Sequence, residues 1–142
     1  MAEPFFPFQN MKQLIVCIIF CMINTLCLGQ TQQEMNQQAL KNYQKADKDL
    51  NMMYQKILQL YKNEIPFVTN LKIAQKIWVQ FRDAEMKARY PESETGYYGS
   101  IFPLCWNNYL QELTEERIRK LKTWLTGVKE GDACAGSLKT IA

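Results

Sequence analysis

The sequence predicts an all-α fold: an antiparallel bundle of three main helices spanning about residues 32–64, 68–90 and 101–127. Three observations lead there. Apolar residues recur at alternating intervals of four and three along three separate stretches, the spacing that lines one face of a helix. Proline and glycine gather near the joints between those stretches, at Pro66, Pro91, Gly96, Gly99 and Gly127. The joint at Pro66 is short, which makes the first two helices antiparallel neighbours.

Residues 11–30, MKQLIVCIIFCMINTLCLGQ, place one lysine before about fifteen mostly apolar residues and end on small or polar ones. That three-part pattern predicts a secretory signal peptide, with cleavage after Gly29. The apolar run is short of the roughly 20 residues of a membrane span, and no stop-transfer charges follow it. Met11 with Lys12 makes the more natural start, leaving MAEPFFPFQN as an upstream extension. The expected organisation is therefore residues 1–29 as extension and leader and 30–142 as a single helical domain, periplasmic or secreted, with no stable membrane anchor.

Losing the leader removes Lys12 and Glu3, so the mature chain keeps the net charge of +3. No Lys/Arg cluster stands out, which gives nucleic-acid binding no support. Cys17, Cys21 and Cys27 leave with the leader, and Cys105 and Cys134 remain. An even pair in an oxidising compartment predicts a disulfide, and the count and spacing exclude a CxxC redox motif or a four-cysteine zinc site.

From Thr31 to Glu64 there is neither glycine nor proline, and Asn36, Leu40, Tyr43, Asp47, Leu50, Tyr54, Ile57 and Tyr61 follow the four-three spacing. Two of these seam positions are polar, which predicts a polar layer inside the bundle. Pro66 is expected to end this helix. The second helix carries LKIAQKIWVQFRDAEMKAR, in which Leu71, Ala74, Trp78, Phe81 and Glu85 share one face, so a carboxylate falls where the core should be. Two arrangements stay open: Glu85 leans out to solvent, or it is buried with a partner on another helix.

The loop YPESETGYYGS follows, with Glu92, Glu94, Tyr97 and Tyr98 on exposed backbone. It reads as an ordinary solvated loop or as a recognition loop, since amphipathic rings give contact area at low entropic cost. Ser100 is a plausible N-cap for the third helix, whose stripe is Trp106, Leu110, Leu113, Arg117, Leu121, Trp124 and Val128. Arg117 is the natural partner for Glu85 or Asp47, because guanidinium geometry suits carboxylate pairing. Gly127 ends the helix.

The disulfide conflicts with a straight third helix. Residues 105 to 127 span about 33 Å, seven further residues return at most about 24 Å, and bridged Cα atoms lie within about 6.8 Å. The bridge therefore predicts a bend near Thr114, where Thr114, Glu115 and Glu116 resemble a capped helix start.

Histidine is absent from the chain. Ser-His and Cys-His nucleophile systems and histidine metal sites are thereby removed, and there is no P-loop or GxGxxG. The paired acids Glu92 with Glu94 and Glu115 with Glu116 sit on expected surface, with nothing to raise one pKa. The reading is a non-enzyme with no cofactor, no metal site and a protein partner.

EMN at 34–36, Tyr43, AD at 46–47, LN at 50–51, Tyr54, LKIAQKIWVQFRDAE, GSI at 99–101 and LTEER at 113–117 together carry a family likeness. The chain resembles the lysozyme inhibitor LprI N-terminal domain-like family of exported bacterial proteins over about residues 34–125. The resemblance implies a helical secreted or periplasmic protein and, from the family's name, inhibition of lysozyme or a related cell-wall lytic enzyme; the alternative is a structural or interaction module of the envelope without inhibitory activity. Many members have cysteine where Gln37 and Met86 stand here, so their disulfides do not carry over, and Cys105 with Cys134 looks like an alternative arrangement. The matched positions include Asp47, Glu85 and Arg117, which favours a structural polar core for the three.

Overall fold

The computed structural model describes residues 8–91 and 96–141. Three helices account for most of them: α1 (Phe8–Leu60), α2 (Ile65–Arg89) and α3 (Phe102–Thr126). The chain divides into two units, Met1–Met35 and Asn36–Ala142. Of the first, α1 from Phe8 onward is described, and residues 1–7 of the expected extension lie outside the described residues. The second holds the core and every contact discussed below.

α1 begins well before the expected residue 32 because nothing interrupts it: from Phe8 to Leu60 there is one glycine and no proline. It ends at Leu60, before Pro66. Pro66 lies in the first turn of α2, where a missing N–H costs nothing and the fixed φ suits a helix. The proline thus starts the second helix and does not end the first. α3 likewise opens with Pro103 in its first turn, and its N-cap is Ile101, with no side-chain cap bond from Ser100. At its far end Gly127 takes φ 72° and ψ −174°, a backbone region open to glycine and strained for other residues.

The described tail adds a feature that the sequence does not signal. β1 (Val128–Lys129) pairs in parallel with β2 (Thr140–Ile141), so the chain beyond α3 loops back on itself. Trp124 Nε1 donates to Ser137 Oγ at 3.1 Å, and the Lys139 ammonium lies 4.8 Å from the Tyr61 ring centre.

Contacts between helices fix their mutual sense. Glu85 meets Tyr109 and Gln75 meets Arg117, so numbers fall along α2 as they rise along α3. Asn36 meets Ser100 and Tyr61 meets Trp124, so α1 and the chain through α3 advance together. The interior forms two apolar clusters. One gathers Leu50, Ile57, Tyr61, Leu71 and Leu121, with Phe67, Trp78 and Trp124 packed against it. The other gathers Met86, Leu110 and Leu113, flanked by Tyr43, Tyr90, Trp106 and Tyr109.

The inward face of α2 is rotated from the expected one. Leu71, Gln75 and Met86 are buried, whereas Ala74 is exposed and Phe81 is 53 % exposed. Ile73 and Ile77 stand out beside Phe81. This helix is apolar on both sides, so periodicity admits two registers a fraction of a turn apart; the observed one lets Gln75 and Arg82 reach polar partners on the other helices.

Candidate functional site

α2 is capped by Tyr90, whose N–H donates to Met86 O at 2.9 Å, and α3 opens at Phe102. Around this connection rings pack together, several of them edge to face. Tyr90 lies 5.6 Å from Tyr98, 5.4 Å from Phe102 and 5.8 Å from Trp106, centre to centre. Tyr98 stacks on Phe102 at 4.9 Å, and Tyr97 meets Tyr98 at 5.0 Å. Such pairs add about 0.5–1.5 kcal/mol each beyond buried area, enough to hold a loop that has little other packing. Tyr98 is further tied by its hydroxyl, which donates to Pro91 O at 3.2 Å. Gly96 and Gly99, at φ 89° and 69°, make the turn between them, with Gly99 N–H donating to Gly96 O. The outcome is a fixed aromatic end of the domain from which Tyr97, 74 % exposed, projects.

A charged margin borders the rings. The Arg89 guanidinium lies 3.9 Å from the Tyr109 ring centre and 5.9 Å from that of Tyr90. Tyr109 donates its hydroxyl to Glu85 Oε1 at 2.9 Å. That hydrogen bond, with some burial, raises the phenol's pKa, because it is lost when the proton leaves.

Of the four expected loop residues, Tyr97 and Tyr98 join this cluster, while Glu92 and Glu94 lie outside the described residues. The three expected polar-core residues do not meet one another. Asp47 faces Arg82 at 3.7 Å and accepts from Asn51 at 3.1 Å. Glu85, half-buried, takes the Tyr109 hydroxyl. Arg117 donates from Nε to Gln75 Oε1 at 3.0 Å and, among the described residues, pairs with no carboxylate. The expected Arg117 pairing with Glu85 or Asp47 is therefore not made: with α2 rotated, Gln75 and Arg82 occupy the inward positions. Cys105 and Cys134 are both free thiols, and α3 runs unbroken through Thr114. An unbroken helix leaves them too far apart to bridge, by the lengths set out above.

Sequence reasoning missed Arg82, Arg89, Tyr90, Phe102 and Tyr109, and it gave Trp106 only as part of the α3 stripe. A signal for the rings was present: Tyr98, Phe102, Trp106 and Tyr109 follow intervals of four, four and three, so the loop aromatics continue the face of α3. Among the described residues no group of three or more His, Cys, Asp or Glu side chains is placed to hold a metal ion, and no helix is long and apolar enough to cross a membrane.

The family model described as lysozyme inhibitor LprI matches residues 27–121. The chain belongs to the lysozyme inhibitor LprI family. No curated protein and no solved structure matches it. The LprI match takes in α2, the aromatic connection and most of α3; Trp124, Cys134 and the β1–β2 tail fall beyond it.

Proposed function

We propose that this LprI-family chain is an exported binding protein that inhibits a lysozyme-type cell-wall hydrolase, with Tyr97, Tyr98, Glu92 and Glu94 supplying the contact. The family match over residues 27–121 carries the reading. The ring cluster supports it: Tyr97 is held on packed aromatics, so little conformational freedom is lost on binding. Attraction at long range does not come from net charge, since +3 would repel a basic enzyme. The acidic residues of the loop supply the local complement.

A second reading, an envelope interaction module without inhibitory activity, is favoured by the apolar row Ile73, Ile77 and Phe81 exposed along α2. A cell-wall lysis assay against several lysozyme types separates the two. Inhibition by the wild-type chain is expected, and changing Glu92, Glu94, Tyr97 and Tyr98 together to alanine is expected to weaken it by about 30-fold or more, the effect of losing a contact worth about 2 kcal/mol. Inhibition that survives the changes moves the contact elsewhere, and no inhibition of any type selects the envelope module.

A further inference from the structure

Arg117 is a half-buried cation that, among the described residues, pairs with no anion. Its position on α3 lies between Leu113 and Leu121, both buried. Its Nε is bound to Gln75 Oε1, and its guanidinium carbon lies 5.9 Å from the Trp78 ring centre. Among the described residues the terminal nitrogens have no acceptor. No fully buried side-chain nitrogen or oxygen lacks a partner among the described residues, so those nitrogens keep some exposure, and Arg117 lines an adjoining pocket.

That pocket is a groove open to solvent with a volume of about 440 Å³, in the range of small-ligand sites. Its lining includes Phe67, Asn70, Trp124 and Ser137 beside Arg117, and Arg117 is the only charged residue of the lining. The Phe67 and Trp124 rings stand 6.0 Å apart at 47° on its wall. Asn70 and the Ser137 hydroxyl add neutral polar groups, and the tail residue Ser137 is placed there by the Trp124 indole. Burial lowers the Arg117 pKa from its ordinary value, the mark of a charge that lacks compensation.

We propose that this groove binds a small organic monocarboxylate, its carboxylate on the Arg117 fork and its apolar part against Phe67 and Trp124. A planar guanidinium presents two parallel N–H groups that match a carboxylate. One cation in an otherwise neutral lining balances a monoanion, whereas a phosphate dianion would leave charge uncompensated. The apolar walls exclude a bare inorganic anion as the best occupant. The same chemistry arises from a free acylated amino acid or from the C-terminal carboxylate of a peptide. The site is separate from the aromatic connection, and its binding does not depend on lysozyme inhibition.

The test is ¹H–¹⁵N NMR titration of the full chain, reading the Trp124 indole and Arg117 Nε–H signals. The probes are N-acetylphenylalanine, its amide, inorganic phosphate, and a short peptide ending in phenylalanine with a free or amidated C-terminus. Saturable shifts with the free carboxylates are expected, with each amide and phosphate weaker by about tenfold or more. The tighter of the two carboxylates identifies the source. Arg117→Gln is expected to abolish the preference of acid over amide, and Arg117→Lys to weaken acid binding while retaining charge. The comparison of acid with amide on the unchanged protein stands even if a variant misfolds. Equal shifts from acid and amide, or no saturation by about 20 mM, would overturn the proposal.

Discussion

Arg117 shows how one residue's partner alters its expected contribution. A buried ion pair broken at one end costs about 3–5 kcal/mol, whereas a neutral acceptor left without its donor costs about 1–3 kcal/mol. The partner here is the Gln75 amide oxygen, on a residue 8 % exposed. Arg117→Met is therefore expected to lower stability by about 1–3 kcal/mol in urea unfolding. A larger loss would mean that a carboxylate pairs with the arginine after all. The position was legible as a cation inside an apolar stripe. Its partner was not, because Gln75 is neutral and lies one position off the face that periodicity selected.

Helix ends carry the clearest conformational requirements at the scale of elements. Gly127 closes α3 at φ 72° and ψ −174°, a combination that a Cβ disfavours by about 1–3 kcal/mol. Gly127→Ala is expected to lower the urea midpoint accordingly, and an unchanged midpoint would mean that the turn readily adopts another form. The uninterrupted α3 also decides the thiols. Cys105 lies in its first turn and Cys134 beyond its far end, so the two sulfurs of one chain stay apart. Alkylation of folded, exported protein followed by mass spectrometry is expected to label both residues. An intrachain bridge found instead would require α3 to bend, with Thr114 the place to look. Thr114 itself gives no sign of a helix start: its hydroxyl donates back to Leu110 O at 2.7 Å, as in a helix interior.

For the whole molecule, several tyrosines couple the fold to alkaline pH. Burial raises the pKa of Tyr43, Tyr54 and Tyr61, and the Glu85 hydrogen bond raises that of Tyr109. A folded pKa above the unfolded value of about 10 gives stability that is complete below that pH and lost as pH rises through the folded value. Urea midpoints are expected to be lower at about pH 11 than at about pH 8, and equal midpoints would count against these phenols being protected. Glu85→Gln is expected to bring the Tyr109 pKa down, read from its ring signals.

Sequence alone determined the helical class, the three helices and the buried Leu50, Ile57, Leu110, Leu113 and Leu121, because an amphipathic period is a local property that burial then uses; the small residues Ala39, Ala46 and Thr114, each one position off the expected stripes, are buried as well, while Leu40 is exposed. It also marked Tyr97 and Tyr98 and carried the family likeness. Tertiary structure decided which face of α2 turns inward, since Leu71–Trp78 and Ile73–Ile77–Phe81 are both apolar rows and only neighbouring helices distinguish them. It assigned Asp47 to Arg82 and Arg117 to Gln75, pairings made across helices at distances that no spacing rule along one chain encodes. It also set the tail's Ser137 beside Trp124 and left Arg117 lining a groove, an arrangement that arises only when α2, α3 and the returning tail meet.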